Sequence, residues 1–556
     1  MRVFLFNEIN KYDSYGINLL SAILKKEGHE SRVFLIPDLI ENTTITMNWL
    51  KVFKPAFHVS DEDYIDYVLS FNPQVVGFSI VTSYWNRSSR LAQIVKRKKP
   101  EVITIAGGPH TSVSLQKEMF EESGFDYIVK GDGEIALPQL IDALESKNYE
   151  PEIPGIYFLR HEQMRGAGMG ELIKLDEMPF QDKSDVFRDY PYMQRLYVVN
   201  SQRSCQFSCT YCGSPAYRNA YHEEDETIFR RRSVDNLIHE LHDAKKMNPK
   251  MQSVGFFDDT FTSGKQWIRD FAREYKKYIN LPYFMCTNPC LLQSEELVYM
   301  LKESGLAFVE IGVQAIDEDF RIKSVKRPDS DKQISKTADL LRKYKIYFQA
   351  NHIFGLDLKD FHDEEFLKKT IEYYIKLHPN RTHCFELEFL PACEETDKAL
   401  NENRITQEQH DRIHRGDSSV SYNFGGSLEE IEGLKTKEKL FIPYIVLLEM
   451  MPFLPHSLIK KALNNNFIFK LVRMVPFNYI VLARLMNTIK DSRDIQASPH
   501  YRKYWDGAFH VLFIKKYLRL FRSGKVLNGI NGSPPSGLIE GDPHLRNSHL
   551  VARGNR

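Results

Sequence analysis

The sequence predicts an α/β protein: a doubly wound parallel sheet, then an open partial (β/α)6 barrel, then a helical C-terminal region. Three observations predict it. Short, continuously apolar runs alternate with helical patterns over 1–150 and again over 195–400. Continuous runs suit strands covered on both faces, and strand–helix alternation builds parallel sheets. At 556 residues the chain is too long for one core. A content of 42% hydrophobic and 12% aromatic residues is that of a globular protein.

In the first unit, 1–150, five strands read at 2–6, 33–36, 75–81, 102–108 and 127–133, with helical patterns at 18–28 and 87–99 between them. In a doubly wound, Rossmann-like sheet the ligand lies beyond the carboxyl ends of the strands. Those ends carry residues 7–13, Ser79 to Tyr84, Gly107-Gly108-Pro109-His110 and Gly131-Asp132-Gly133-Glu134. Residues 151–194 read as a connector, with Pro154, Gly155, a glycine cluster at 166–170 and Pro179. Six further strands follow at 195–202, 253–261, 283–288, 308–315, 346–355 and 383–390. Ser233 is well placed to cap the helix after the first of them. A barrel of such units carries its site at the carboxyl ends of its strands. Residues 401–522 read as helices, and 523–556, rich in Gly, Ser, Pro and Asn, as a disordered tail.

Charge and cysteine content exclude several classes. Lys+Arg and Asp+Glu are both 74, so the net charge is 74 − 74 = 0 and no nucleic-acid partner is expected. Seven cysteines, an odd number, make no disulfide scaffold and point to a reducing cytoplasm. The N-terminal apolar run is too short for a signal peptide, and no run of 18 apolar residues predicts a membrane span. No repeat pattern points to a solenoid.

The chemistry concentrates at CQFSCTYC, where Cys205, Cys209 and Cys212 form C-x3-C-x2-C directly after the first barrel strand. A structural zinc site wants four ligands, and the nearest candidate, His222, lies ten residues beyond Cys212. A [4Fe–4S] cluster usually takes four thiolates, so three leave one iron open to substrate or cofactor.

A three-cysteine loop at this position resembles the radical S-adenosylmethionine (SAM) enzymes, as does Tyr211 before the last cysteine. The resemblance implies that Cys205, Cys209 and Cys212 hold a [4Fe–4S] cluster. SAM would bind its fourth iron, and reductive cleavage would give a 5′-deoxyadenosyl radical. It places Tyr211, Asp258 and Asp259 of FFDDTFT, Gln314 of EIGVQA, and Gly355 of HIFGLD about the SAM. Gln314 and His352, the latter in HIFGLD, each have an ordinary strand-end packing reading beside that one, and Asp258 and Asp259 have a reading as an acid pair capping the next helix.

The first unit, with AGGPHTS and VKGDGE, resembles the cobalamin-binding domain of B12-dependent radical SAM enzymes. Ser79, Thr82, Gly107, Gly108, His110, Gly131, Gly133 and Glu134 are the corrinoid-binding residues this implies. The two resemblances cover about residues 1 to 400. The D-x-H-x-x-G pattern of some B12 proteins is absent, since none of His29, His58 and His110 sits in it. A vestigial, purely structural first domain is the competing reading. Methylthiotransferases share the layout but carry a second cluster on N-terminal cysteines. This chain has none before Cys205, which disfavours sulfur insertion into tRNA.

The remaining Cys286, Cys290, Cys384 and Cys393 read as small buried hydrophobes. The apolar, Lys/Arg-flanked stripes at 439–463 and 509–522 read as core, with contact to a membrane surface as the alternative. The function implied is methyl transfer from cobalamin to an unactivated carbon of a small or lipid-like substrate. An external donor such as flavodoxin or ferredoxin would supply electrons. Radical cyclisation, rearrangement or oxidation is the alternative within the class. A non-catalytic iron–sulfur or corrinoid electron carrier and a zinc-stabilised binding protein are alternatives outside it.

Overall fold

The computed structural model describes residues 1–9, 14–37, 60–221, 229–416, 441–465, 486–487 and 490. Strands β1 (Arg2–Ile9), β2 (Glu30–Pro37), β3 (Val75–Ser79), β4 (Ile103–Gly107) and β5 (Tyr127–Val129) pair in parallel, in the order β2-β1-β3-β4-β5. Helices α1 (Tyr15–Lys26), α2 (Asp61–Leu69), α3 (Trp85–Lys98), α4 (Pro109–Val113) and α5 (Gly133–Glu145) lie between or after them. Ser60 starts α2 through a reciprocal capping box with Asp63. Phe4, Phe6, Phe34 and Phe78 are buried between sheet and helices, and Phe6 and Phe78 stack at 5.4 Å. Strand order reverses at β1, with β2 on one side and β3 on the other. That is the switch point where such sheets open a crevice.

The expected connector is not wholly irregular. β6 (Ile156–Arg160) and β7 (Gln163–Gly166) extend the first sheet to seven strands as an antiparallel hairpin. All four residues of β7 are exposed. β6 does alternate, with Ile156 and Phe158 buried, but it spans only five residues and its partner β7 has no buried face to extend the pattern.

The second sheet has six parallel strands: β8 (Leu196–Val199), β11 (Ser253–Phe256), β12 (Tyr283–Thr287), β13 (Leu306–Gln314), β14 (Tyr347–Phe354) and β15 (Arg381–Glu386), in chain order. β8 and β15 are the two edges, so the barrel is open. A small ribbon, β9 (Gln202–Arg203) with β10 (Arg230–Arg231), follows β8. Helices α6 (Gly213–Ala220), α7 (Val234–Met247), α8 (Lys265–Tyr278), α9 (Glu295–Ser304), α10 (Asp331–Lys343) and α11 (Glu364–Leu377) connect the strands. Side-chain caps at Ser233, Ser294, Ser330 and Asp363 start four of these helices. On the helix side Tyr197, Val254, Met285, Val309 and Phe348 join one large core. On the opposite face Leu196, Val198, Phe284, Phe308 and Tyr347 form a separate cluster near the amino ends of the strands. This cluster fills the lower interior and leaves the polar groups at the carboxyl ends.

After the barrel come α12 (Glu394–Asn401), α13 (Gln407–His414), α14 (Ile442–Met450) and α15 (His456–Asn464). Tyr444, Ile445 and Leu448 of α14 are fully buried. Glu449 accepts the Cys384 N–H at 3.3 Å and so covers part of the edge strand β15. The apolar stripe around 440–454 is therefore core where it is described. The second stripe, at 509–522, the tail at 523–556 and His222 lie outside the described residues. Among the described residues, no helix is long and apolar enough to cross a membrane.

Candidate active site

The carboxyl ends of the two sheets face a shared cavity of about 590 Å3. The first domain contributes Ser79, Gly107, Gly108, Gly131, Gly133 and Glu134, with apolar walls from Leu5, Ile17, Phe78 and Val129. The barrel contributes Asn200, Gln202, Arg203, Ser204, Cys212, Tyr217 and Asp259. Glycines keep the wall of the first domain low. At Gly107 an added Cβ would sit 3.5 Å from Val129, so anything larger has to enter the cavity. Gly108 has φ of +109°, and its Cβ would strike the Ile80 backbone at 2.6 Å. Only glycine suits both the conformation and the space there.

The cysteine loop hangs from β8 and ends at α6, with Cys212 in the N-cap position. Arg218 of α6 reaches back to the Cys205 carbonyl and, at 2.9 Å, to Ser208 Oγ. Thr210 donates its N–H to the Val325 carbonyl at 3.1 Å and accepts the Glu395 N–H at 3.0 Å. The loop is thus tied to the fourth barrel unit and to α12. All three thiols are free, with Cys205 and Cys209 buried and Cys212 half-buried. Burial pushes the Cys205 thiol up to about 11 and the Cys212 thiol up to about 12, and raises Cys209 as well. Each feels at least one other thiol of the set, or Arg327 and Asp329 behind Cys209. Such a set becomes thiolate when positive charge is brought to it.

The spacing of the thiols separates two kinds of metal centre. Among the described residues, the ligand groups lying within 4.8 Å of one another are Asp397–His410–His414 and His29–Asp142–Glu145, and the three thiols are not such a group. One tetrahedral zinc, with sulfur at about 2.3 Å, draws its thiolates to within about 4 Å of each other. Thiols set wider than that suit a multi-iron cluster, whose irons each take one thiolate.

The two neighbouring carboxylates divide their work. Asp258 accepts from Ser201 N–H at 2.7 Å, Ser201 Oγ at 2.6 Å and Gln202 N–H at 2.9 Å. Asp258, expected beside SAM, thus already has hydrogen-bond partners within the protein. Both its oxygens hold the end of β8, because the chain there turns away from the sheet and leaves its N–H groups unpaired. Burial still pushes its pKa up to about 6. Asp259 faces the cavity and lies close enough to Cys205 and Cys212 to raise both thiols. Burial raises Asp259, with the Ser214 side chain opposing.

Gln314 ends β13 at a register shift and has φ of +67°. Its Oε1 is buried without a hydrogen-bond partner. A strained residue with an unsatisfied buried oxygen marks a place prepared for a ligand. Beside it, Arg327 donates to the Gly312 carbonyl at 2.8 Å and to Tyr211 Oη at 3.3 Å, and pairs with Asp329 at 3.0 Å. Tyr211 is therefore held from behind. Gly355 has φ of +82°, but a Cβ there would meet Phe361 at 2.9 Å. The direction a side chain would take at Gly355 is thus filled by the protein's own ring. His352 is buried against Tyr374, with Nδ1 at 3.1 Å from the hydroxyl, as ordinary packing.

Of the predicted corrinoid residues, Thr82 and His110 do not line the cavity. They pair with each other at 3.3 Å, and His110 packs against Trp85 with ring centroids 5.2 Å apart. The His110 ring is buried, and it lies in the helix that starts at Pro109.

The sequence reading missed the residues that join the two domains. Arg203 pairs with Asp132 at 2.9 Å and with Glu134, and Arg230 pairs with Asp132 at 2.6 Å. Tyr217 donates to the Asp132 carboxylate, and the Asp132 N–H donates to Tyr221 Oη at 2.6 Å. Burial raises Asp132, but Arg203, Arg230 and Tyr217 more than offset it and hold the pKa below the usual value. The second oxygen of Glu134 remains buried and unpartnered. The G-D-G-E motif flagged the place, and the two arginines could be found only in three dimensions. Tyr15, on the cavity wall at the start of α1, was also missed. Its phenol is raised by burial and by Glu240.

These observations fit the three implied groups. Three soft, buried thiols suit a cluster, and the free oxygens of Gln314 and Glu134 suit hydrogen-bond donors of a ligand. The glycine wall suits a bulky planar ring.

Comparison with known proteins agrees. A B12 binding domain model matches residues 10–141, and a radical SAM superfamily model matches 199–370. The chain is 22% identical over 319 residues to the anaerobic magnesium-protoporphyrin IX monomethyl ester cyclase of Rubrivivax gelatinosus, covering 54% of each protein. It is 23% identical over 326 residues to the hopanoid C-3 methylase of Methylococcus capsulatus, covering 57% of this chain and 56% of that one. It thus spans little more than half of either relative. The solved cobalamin-dependent SAM radical enzyme OxsB, with aqua-cobalamin bound, superposes with a TM-score of 0.58 at 16% identity. That match covers 95% of this chain and 81% of OxsB, and shows a shared fold.

Proposed function

We propose that this chain, a cobalamin-dependent radical SAM enzyme by its paired domains, transfers a methyl group to an unactivated carbon of a small or lipid-like molecule. One observation carries the proposal. The glycine wall of the first domain and the Cys212–Asp259 face of the barrel line the same cavity. Transfer between two cofactors needs both within reach of one substrate. The methyl-transferring activity of relatives such as the hopanoid methylase supports the reading.

Cys205, Cys209 and Cys212 would hold the cluster. Asp259, Gln314 and Tyr211 would flank SAM, and Ser79, Gly107, Gly108, Gly131, Gly133 and Glu134 would seat cobalamin. When bound, the cluster with SAM supplies hydrogen-atom abstraction, and cobalamin supplies a transferable methyl group. The protein's own contribution is position and exclusion. The Asp259 carboxylate, which faces the cavity, is placed to accept from an ammonium. Gln314 Oε1 accepts a hydroxyl or amine hydrogen. Arg327 fixes Tyr211 against the cysteine loop. The aromatic plug of Phe284, Phe308 and Tyr347 closes the lower interior and keeps bulk water from that side. Radical cyclisation is the second reading, favoured by the match to the cyclase.

The test is anaerobic reconstitution with iron, sulfide, hydroxocobalamin and SAM carrying a deuterated methyl group, reduced by flavodoxin or a chemical donor. Methyl transfer predicts 5′-deoxyadenosine, S-adenosylhomocysteine and a product bearing the labelled methyl. Cyclisation predicts 5′-deoxyadenosine with no labelled product. A corrinoid-free protein after desalting, with an intact cluster, overturns the cobalamin reading.

A further inference from the structure

Behind the cysteine loop lies a second set of metal-ligating side chains that the proposed chemistry does not use. His410 and His414 are four residues apart on α13, so they share one face, and their ring centroids are 4.6 Å apart. Asp397 reaches them from α12, with Oδ1 at 3.1 Å from His410 Nε2. One ligand atom from each residue lies within 4.8 Å of the others. Around a tetrahedral zinc with nitrogen and oxygen at about 2.0–2.1 Å, neighbouring ligands are about 3.3 Å apart. The Asp397–His410 edge already has nearly that length.

The third corner carries the independent observation. His414 Nε2 is buried and has no hydrogen-bond partner. Buried imidazole nitrogens are ordinarily satisfied, and this one is left open on a residue whose neighbours include a carboxylate and a second imidazole. The Asp397 side chain is 58% exposed, so water has access to a fourth position. The other convergent group, His29–Asp142–Glu145, differs on this point. There the Met1 ammonium lies 3.0 Å from Glu145 and 3.1 Å from His29 Nδ1, so a cation is already in place.

We propose that Asp397, His410 and His414 bind a divalent cation of the zinc class, with water in the open position, and that the ion staples α12 to α13. The two helices connect distant parts of the enzyme. The start of α12 holds the cysteine loop through Glu395 N–H to the Thr210 carbonyl at 3.0 Å. The end of α13 holds the first domain, where Ser114 Oγ donates to the His414 carbonyl at 2.6 Å. An ion between the helices fixes the back of the cluster loop relative to the first domain.

The test uses the full chain, reconstituted with iron and sulfide, incubated with zinc and desalted. Metal content is read by mass spectrometry. About one zinc per chain beyond the cluster iron is expected, with its loss from His410→Ala/His414→Ala at unchanged iron content. Equal zinc in wild type and the double variant overturns the proposal. A second measurement needs no drastic variant. Cobalt(II) on the wild-type chain is expected to show nitrogen and oxygen ligation, with a spectrum altered in Asp397→Asn. A thiolate-to-cobalt charge-transfer band that survives His414→Gln would put the ion on cysteine and overturn it.

Discussion

Replacing Arg203 by Met tests how the two domains are held in register. Among the described residues, Arg203 is the cation paired with Glu134, whose side chain is 4% exposed. Asp132 keeps Arg230 at 2.6 Å when Arg203 is lost, but Glu134 keeps no charge partner. Burial alone would pull the Arg203 pKa down, and Glu134 and Asp132 reverse this to hold it well above the usual value. Removing one member of a buried pair leaves an uncompensated charge and costs about 3–5 kcal/mol. Glu134→Gln alone removes the acceptor charge and costs about 1–3 kcal/mol. The double variant leaves no orphan carboxylate, so it is less destabilised than the sum of the singles, by on the order of 2 kcal/mol. The assay is urea unfolding of the full chain, followed by circular dichroism and tryptophan fluorescence, with coincident transitions required for the cycle. Additivity within about 0.5 kcal/mol would refute the argument that the pair is buried and mutually dependent.

Three further outcomes are expected. Gly107→Val pushes a branched side chain into the cavity, so cobalamin retained after desalting falls at least tenfold while cluster iron is unchanged; equal retention sinks the cavity assignment. Burial pushes His110 and His352 down to about 3 from the ordinary 6.5, so both stay neutral in the fold while the unfolded chain takes up protons. Their stabilisation is present above pH 6.5 and lost as pH falls towards 3, at about 1.4 kcal/mol per unit for each. Between pH 7 and 5.5 the loss is about 2–3 kcal/mol, and His110→Gln/His352→Asn flattens it; an unflattened acid limb in urea midpoints contradicts the assignment. Cys209→Ala leaves two thiols, and iron bound after reconstitution falls to background with the far-ultraviolet dichroism intact; retained cluster absorption would remove Cys209 from the ligand set.

Much of this was legible in the residues because strand ends and site coincide in parallel α/β folds. The run VVGFSIV and the motif C-x3-C-x2-C each placed a strand end and its chemistry together. Gly107 and Gly131, read from the sequence at strand ends, both line the cavity. What escaped has one cause. Arg203 and Asp132, 71 residues apart in sequence (203 − 132), meet only when two sheets face each other. Asp258 and Asp259 are indistinguishable as letters, and only the turn after β8 decides that the first anchors Ser201 while the second faces the cavity. The contacts of His110 were equally illegible, since its packing against Trp85 joins residues 25 positions apart (110 − 85). In the β6–β7 hairpin only the short β6 has a buried face, through Ile156 and Phe158, and the wholly exposed β7 adds no periodicity to it.

The tie between the cysteine loop and α12 has a consequence for how the enzyme is made. Thr210 and Glu395 are separated by 185 residues along the chain. Contacts of such long separation close late, because the entropy of a large loop must be met before they form. During synthesis the cysteine loop emerges long before the segment that braces it. The loop reaches its final shape only when all six barrel strands have been laid down and α12 has docked. Iron and sulfide delivered earlier would meet three thiols on an unbraced loop. A chain truncated before Glu395 is therefore expected to retain less iron after reconstitution than the full chain.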